Sequence, residues 1–196
     1  MLQDPNSLMG KIIFYNFETQ MTKVISKGHR NILGLLSTEG IILSTENGPK
    51  GGDFFGKVIA GSNYGWMDVA WGGVDYDGSI IGDGSAWKEG LLKPIYRWIP
   101  SIAVSNLIFY QGNQFPELKD NIVLTSLKAK QLIKLNFDGS KATNETVLIE
   151  GDMFSLHSDP LTSPDTLTLS DPKLILPPYS CLLYTSPSPR DKRQSR

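Results

Sequence analysis

Two distant stretches of the chain repeat one pattern of residues, and this repeat limits the possible folds more than any other feature. Residues 10–19 read GKIIFYNFET and residues 131–139 read QLIKLNFDG, so both carry apolar residues into an Asn-Phe-acid triplet. A polar turn and a second short apolar run follow each stretch, at residues 24–25 and 147–149. The chain is therefore predicted to contain repeated units of short apolar segments.

The repeated units have the content of β-propeller blades. The runs at residues 41–45 (IILST) and 122–126 (IVLTS) also match each other, and units of strand, turn, strand, loop, strand, turn, strand make up a four-stranded blade. Nineteen Gly and twelve Pro, scattered among short apolar runs, favour strands and turns over long helices. We expect an all-β fold of about two to three blades, with residues 67–100 as a long excursion between two of them and residues 153–171 beginning a third.

Two to three blades form an open ring. The strand edges of a blade stay exposed unless neighbouring blades cover them, so we expect the chain to be a fragment of a longer propeller. From about residue 177 the apolar pattern stops and Ser, Pro and basic residues prevail. The predicted division is a partial propeller at residues 1–176 and a non-globular, non-native tail at residues 177–196. A native disordered tail is the alternative.

The charge and apolar patterns exclude several classes of protein. A formal net charge of -1 provides no general attraction to nucleic acid. No apolar run approaches the roughly 20 residues that span a bilayer, and residues 1–10 lack the basic start and apolar core of a signal peptide. Cys181 is the single cysteine, which rules out an internal disulfide and favours an inert thiol.

The motifs that carry chemistry begin with G-H-R-N at residues 28–31, then G-L, T-E-N-G-P-K-G-G-D at 45–53 and N-Y-G-W at 63–66. Their order and spacing, continued by P-S-I-A-V-S-N-L at 100–107 and L-T-S-L-K at 124–128, resemble the soluble pyrroloquinoline quinone (PQQ)-dependent aldose sugar dehydrogenases of the glucose/sorbosone dehydrogenase family. The resemblance covers most of this chain but only the later half of such a protein. It implies part of a six-bladed β-propeller, PQQ and Ca²⁺ as cofactors, a small sugar as substrate and a periplasmic or secreted location.

The resemblance implies that Arg30, Asn31 and Lys128 bind PQQ. This flat ortho-quinone bears three carboxylates, so its site needs fixed cations; Arg30 offers a planar fork and Lys128 a point charge. Asn31 is expected to be a hydrogen-bond partner of the cofactor. From the residues alone the alternatives are a salt bridge at a strand end, a solvated lysine and an asparagine that caps a turn.

The resemblance assigns the calcium ion to main-chain oxygens of Gly48 and Pro49. Calcium prefers oxygen ligands, including backbone carbonyls, and Pro49 pushes Gly48 toward an extended conformation that aims two successive carbonyls; a simple loop turn is the alternative. Asp53 is expected either to orient this loop or to lie on the surface. Residues 74–84 (VDYDGSIIGDG) do not meet the EF-hand pattern, so their aspartates, Asp75, Asp77 and Asp83, are expected in a solvated turn.

Aromatic residues could offer rings to a sugar, although packing between blades is favoured for the group. Trp71 and Trp87 are the better candidates for exposure within a set that also contains Trp66, Tyr96 and Trp98. No residue is assigned as catalytic, because the resemblance implies that the base histidine lies upstream of this chain. His29 is expected to be structural, and His157 to be a strand residue.

Two departures from the family pattern keep two functions open. The family's N-P-Q-G is replaced by N-I-L-G at residues 31–34, and its Arg-x-Arg-Asp run is matched only by L-H-S-D at residues 156–159. One hypothesis is a fragment, inactive by itself, of a dehydrogenase that oxidises the C1 hydroxyl of an aldose to a lactone by hydride transfer to PQQ. The other is a non-catalytic propeller that binds carbohydrate or a protein partner. The lost arginines favour the second, while Gly48-Pro49 and Lys128 favour the first.

Overall fold

The computed structural model describes residues 3–151 and the backbone of residues 180–184. These residues form strands and one 3₁₀ turn, Pro116–Leu118, and contain no α-helix. In chain order the strands are β1 (Lys11–Asn16), β2 (Thr22–Lys27), β3 (Ile32–Thr38), β4 (Ile41–Glu46), β5 (Asp53–Val58), β6 (Tyr96–Trp98), β7 (Val104–Tyr110), β8 (Asn121–Ser126), β9 (Gln131–Phe137), β10 (Ala142–Glu150) and β11 (Ser180–Tyr184).

The strands pair into three antiparallel sheets with the order of propeller blades. Strands β3 to β6 form one four-stranded sheet and β7 to β10 another, each in chain order. The third sheet has the order β11-β1-β2. The prediction of an all-β fold that forms part of a propeller is therefore confirmed. The sequence repeat has a structural counterpart, because the matching runs at 41–45 and 122–126 lie in the second strand of each four-stranded sheet.

A two-residue hairpin shows how local chemistry determines register. Strand β3 pairs with β4 so that Thr38 is opposite Ile41, which leaves Glu39 and Gly40 as the turn. Both residues have positive φ, 48° and 76°, as a type I′ turn requires. Glycine adopts this conformation without a Cβ penalty, so the T-E-G sequence places the two apolar strands in direct contact.

The core consists of two apolar layers between consecutive sheets. The sheet of strands β3 to β6 is called the middle sheet. Its residues Leu43 and Phe55 pack with Leu107 and Ile122 of the sheet formed by β7 to β10. A second cluster joins residues of β1, β3 and β5, namely Ile12, Ile32 and Val58. Full burial of an aliphatic side chain contributes roughly 1.5–3 kcal/mol to stability. The middle sheet is therefore held on both faces, which makes its strand ends a rigid base for the loops.

A late segment of the chain adds a strand to the sheet of β1 and β2. Residues Ser180–Tyr184, within the segment predicted to be non-globular, form strand β11 antiparallel to β1, with Ile12 opposite Tyr184 and Asn16 opposite Ser180. An outer strand exposes unpaired N–H and C=O groups that another segment can satisfy, and Ser180–Tyr184 satisfies those of β1. The rest of the predicted tail, the predicted third blade and His157 lie outside the described residues, so the 1–176 and 177–196 division stays a prediction.

The long excursion starts and ends earlier than predicted. It runs from residue 59 to residue 95 and lies within one blade rather than between two as predicted, because Tyr96–Trp98 forms β6, which pairs with β5 at the outer edge of the same sheet. Its turn at residues 74–80 is closed by an isolated bridge between Val74 and Ile80. A backbone hydrogen bond from Leu92 N–H to Asn63 C=O (2.8 Å) joins its two ends. The excursion is thus a folded flap over one end of the sheet.

Candidate functional site

Two loops meet at the same end of the middle sheet. One carries G-H-R-N between β2 and β3, and the other carries N-G-P-K-G-G between β4 and β5. Because β4 pairs antiparallel with both β3 and β5, the start of β3 and the end of β4 lie side by side. The Asn47 N–H donates to the Asn31 carbonyl at 2.9 Å, which ties the two loops together.

A buried glutamate braces the first loop. Glu46 is 2% exposed; its Oε2 lies 2.9 Å from His29 Nδ1, and its Oε1 accepts the backbone N–H of Arg30. The other ring nitrogen of His29, Nε2, lies 2.8 Å from Ser26 Oγ. Both ring nitrogens are therefore engaged within the fold, in agreement with the structural role expected of His29.

A buried tyrosine closes the apolar side of this brace. The rings of His29 and Tyr64 lie 4.6 Å apart, and Tyr64 also stacks on Phe54 at 5.5 Å. The Tyr64 hydroxyl donates to the Lys57 carbonyl. Burial, with the Glu46 carboxylate as a second cause, raises the pKa of Tyr64 well above the usual range of tyrosine. Tyr64 is therefore a neutral packing residue rather than a proton donor.

The Arg30 guanidinium faces the carbonyls of the second loop. Nη1 donates to the carbonyl oxygens of Asn47 (2.9 Å) and Gly48 (3.3 Å). The guanidinium carbon lies 5.2 Å from the ring centroid of Trp66 and 5.6 Å from that of Tyr76. Arg30 is 5% exposed, so this cation is held in one orientation by main-chain oxygens and aromatic rings.

A second buried carboxylate orients the Gly-Pro loop. Asp53 is fully buried, and its Oδ1 accepts from the Gly48 N–H (2.9 Å) and the Ser101 hydroxyl (2.6 Å). Its Oδ2 accepts from the Val104 N–H at 3.1 Å. Of the two expectations for Asp53, orienting the loop is the one the structure supports. The carboxylate also joins the loop to the first strand of the next sheet.

The glycines of this loop permit a close approach of the excursion. Gly52 has φ of +82°, and a Cβ placed on it would lie 2.5 Å from Gly72 N and 2.6 Å from the Trp71 carbonyl carbon. Real Cβ atoms do not approach backbone this closely, so only glycine fits at position 52. The P-K-G-G-D sequence therefore lets the flap lie directly on the loop that carries Gly48 and Pro49.

Together these residues form a pocket at the end of the sheet. Its lining includes Arg30, the N-G-P loop, Trp66 and Trp71. The side-chain oxygen of Asn47, Oδ1, is buried and has no hydrogen-bond partner among the described residues. Among all the residues that the structure describes, no group of three or more His, Cys, Asp or Glu side chains could hold a metal ion. The Glu46 carboxylate also belongs to the lining but is engaged by His29 and the Arg30 N–H, so the loop carbonyls and Asn47 Oδ1 are the oxygens that remain for a cation.

The predicted site residues do not all line this pocket. Arg30, Gly48 and Pro49 do, whereas Asn31 contributes its backbone carbonyl to the joint between the two loops. Lys128 lies in the exposed turn after β8, outside the pocket lining. Its N–H donates to the carbonyl of Ile102 (3.0 Å), and the Ser101 N–H donates to Lys50 of the Gly-Pro loop (3.4 Å). One connecting segment thus places Lys128 at the same end of the fold as Gly48.

The acidic turn of the excursion is solvated, as predicted. Asp77 and Asp83 each accept a hydrogen bond from the backbone N–H two residues further on, that of Ser79 (2.8 Å) and Ser85 (3.0 Å). The hydrogen bonds from Ser85, followed by that from Lys88, lower the pKa of Asp83 to about 2. The Ser79 hydrogen bonds likewise lower the pKa of Asp77. These carboxylates stabilise turns and do not converge on one point.

Some of the predicted aromatic residues pack in the core, and others line the pocket beside Arg30. Trp98 is 6% exposed and belongs to the core between the two four-stranded sheets, and Tyr96 packs edge-on against it at 5.0 Å. Trp66 and Trp71 line the pocket beside Arg30. Sequence reasoning missed Tyr76 as an Arg30 neighbour and Glu46 as its brace. The sequence signal for Glu46 was only an acidic residue at the end of an apolar run; its place beside His29 and Arg30 follows from the pairing of β3 with β4.

The blade-like sheets, with a pocket beside a buried arginine and a Gly-Pro loop at one end, define part of a β-propeller. The family model for glucose / sorbosone dehydrogenase matches residues 3–154, and the chain belongs to this family. Among the described residues, no helix has the length and apolar character needed to cross a membrane.

Individual relatives agree with this assignment. Aldose sugar dehydrogenase YliI of Escherichia coli K12 is 28% identical over 159 residues, which cover 73% of this chain and 43% of the relative. Quinoprotein glucose dehydrogenase B of Acinetobacter calcoaceticus is 32% identical over 105 residues, which cover 47% and 22%. A crystal structure of a glucose dehydrogenase superposes with a TM-score of 0.61 at 34% identity and covers 66% of this chain and 38% of that structure. The chain spans less than half the length of these relatives.

Proposed function

We propose that this chain supplies one wall of the cofactor site of a PQQ-dependent aldose dehydrogenase. The observation that carries the proposal is the buried Arg30 guanidinium, held between the Asn47 and Gly48 carbonyls and two aromatic rings. A planar cation in this setting suits a flat ligand that bears carboxylates. The similarity to a quinoprotein glucose dehydrogenase supports PQQ as that ligand.

The oxygen atoms of the loop fit a calcium ion. The Asn47 and Gly48 carbonyls converge on Arg30 Nη1, and the unpartnered Asn47 Oδ1 lies in the same loop. Each carbonyl oxygen has two lone pairs, so an oxygen that accepts from Arg30 keeps one for a cation. Calcium takes six to eight oxygen ligands, carbonyls among them. The main-chain oxygens of Gly48 and Pro49 are the proposed ligands.

The protein residues bind and orient rather than react. Arg30 pairs with a carboxylate or quinone oxygen of the cofactor, Lys128 adds a point charge from the next blade, and Asn31 donates a hydrogen bond. Asp53 and Glu46 hold the two loops so that these groups stay aligned. A PQQ held by these residues would supply the hydride acceptor for oxidation of the aldose C1 to the lactone, and the proton of the C1 hydroxyl would pass to a base. The base for that proton is proposed to lie outside this chain, which alone is expected to be inactive.

A non-catalytic propeller that binds carbohydrate or a protein partner is the second candidate. It is favoured by one sequence observation, the L-H-S-D run at residues 156–159 where the family carries two arginines. A periplasmic or secreted location accompanies the dehydrogenase proposal and is tested by cell fractionation.

The test uses the full-length protein that contains these residues, loaded with Ca²⁺ and PQQ. We expect retained PQQ, measured by absorbance after gel filtration, and aldose-dependent reduction of an artificial dye. Arg30→Ala should weaken PQQ binding about tenfold or more, because a charged hydrogen bond contributes ~1.5–3 kcal/mol. Lys119→Ala, which removes an exposed lysine beside Pro116–Leu118, should change nothing. Bound PQQ without dye reduction would favour the second candidate, and unchanged PQQ binding in Arg30→Ala would contradict the proposed site.

A further inference from the structure

A second, larger groove lies beside the pocket at Arg30. It holds about 1060 Å³ of empty space, part of it open to solvent, and runs between the excursion and the approach to β6. Its lining comprises Trp71, Ala86, Trp87, Lys93, Pro94, Ile95, Tyr96 and Arg97. Trp71 lines both this groove and the first pocket. The two cavities are therefore neighbours that share one indole.

Two cations and no acidic side chain line the groove, although Glu145 outside the lining forms a hydrogen bond with the lining residue Tyr96. Lys93 Nζ lies 4.0 Å from the ring centroid of Trp87, and the Arg97 guanidinium lies 5.5 Å from that of Trp71. No Asp or Glu belongs to the lining, and neither cation forms a salt bridge with a described residue. Both charges are exposed yet positioned by aromatic rings. An anionic group is thus the complementary charge for this surface.

Trp87 is held in place before any ligand binds, and the backbone of Trp71 is close-packed. The Trp87 indole N–H donates to the Leu91 carbonyl at 2.7 Å, although 36% of its surface is exposed. The Trp71 backbone lies against Gly52, since a Cβ there would contact it, and its buried indole Nε1 has no hydrogen-bond partner among the described residues. A fixed and partly exposed aromatic surface binds at a low entropic cost, and indole rings suit the apolar C–H face of a sugar.

We propose that this groove binds a sugar unit that bears a carboxylate, such as a uronic acid. The indoles contact the sugar ring, and Arg97 with Lys93 pairs with the carboxylate, for which a guanidinium fork is geometrically suited. The inference rests on the proposed sugar dehydrogenase function in one respect. If the pocket at Arg30 belongs to the substrate site, the groove would bind a further, acidic sugar unit of the same substrate. Binding at the groove itself needs neither PQQ nor calcium.

Isothermal titration of the full-length protein, without PQQ or calcium, tests the groove directly. The probes are glucuronate, glucose and inorganic phosphate. We expect glucuronate to bind at least about tenfold more tightly than either glucose or phosphate, since a charged hydrogen bond contributes ~1.5–3 kcal/mol, which is about ten- to a hundredfold in affinity. The affinity should fall as salt is raised, because the two cations are exposed.

Matched variants locate the binding. Arg97→Gln and Trp87→Ala should each weaken glucuronate binding about tenfold, while Lys119→Gln and Phe115→Ala, an exposed cation and an exposed aromatic residue outside the groove, should leave it unchanged. Near-identical circular dichroism will show that the variants fold. Equal affinity for glucose and glucuronate, equal affinity for phosphate, or no loss in Arg97→Gln would overturn the proposal. Because no dye, quinone or calcium is present, a failed dehydrogenase assay has no bearing on this outcome.

Discussion

The Asp53 carboxylate makes a sharp prediction about stability. It accepts hydrogen bonds from the Gly48 N–H, the Ser101 hydroxyl and the Val104 N–H, and it is fully buried. Each hydrogen bond to a charged acceptor contributes ~1.5–3 kcal/mol, but the three share one carboxylate and the cost of its desolvation. We therefore expect Asp53→Ala to lower the free energy of unfolding by about 3–5 kcal/mol.

Urea denaturation followed by tryptophan fluorescence measures this loss, with the free energy extrapolated linearly to water. Asp53→Asn should cost less than Asp53→Ala, because the amide oxygen still accepts hydrogen bonds while its NH₂ group faces a donor. Asp77→Ala is the matched control, since Asp77 is an exposed aspartate that accepts a turn N–H, and we expect a much smaller change. A loss below about 1 kcal/mol in Asp53→Ala, the typical net value of one neutral hydrogen bond, would refute the view that this carboxylate holds the loop.

Three further predictions concern the same end of the fold. Asn47→Ala removes the unpartnered Oδ1 and should weaken Ca²⁺ binding to the full-length protein in calorimetry, whereas Asn47→Asp should strengthen it by adding a charge; equal affinities would contradict a role for this oxygen. Gly52→Ala combines a φ of +82° with a Cβ that would lie 2.5 Å from Gly72 N, so we expect a loss of at least about 1–3 kcal/mol in thermal unfolding. The raised pKa of Tyr64 means that the unfolded state ionises first: stability is complete below about pH 10, the ordinary tyrosine value, and falls as the pH rises above it. Tyr64→Phe should flatten this decline in melting temperature between about pH 10 and about pH 12, and an unchanged slope would contradict the assignment.

The repeated patterns predicted most of the strands in the two four-stranded sheets, but not β6, which lies inside the predicted excursion. Alternation and turn chemistry are local properties, so the T-E-G turn and the runs at residues 41–45 and 122–126 already specify hairpins with a defined register. The structure bears this out in the two four-stranded sheets. The pairing of β11 with β1 is a long-range contact, and the short SCLLY run carries no local feature that names its partner. The pairing of this segment therefore could not be predicted from its own residues.

Some residues of the candidate site could be predicted from sequence motifs, whereas others could be found only from the pairing and packing of the strands. Arg30 and the Gly48-Pro49 pair were predicted because their motifs resemble those of the family, and in the structure all three residues line one pocket. Glu46 was missed, since its role depends on its position opposite Ile32 in the β3–β4 register, which places its carboxylate within reach of the loop that precedes β3. From there it contacts His29 and the Arg30 N–H at once. Glu46 accepts from the Arg30 backbone N–H and so fixes the backbone of the loop that carries this arginine, while the Asn47 and Gly48 carbonyls orient its guanidinium. The position of Arg30 therefore depends on an acid in a different strand, which no contiguous sequence motif joins to it.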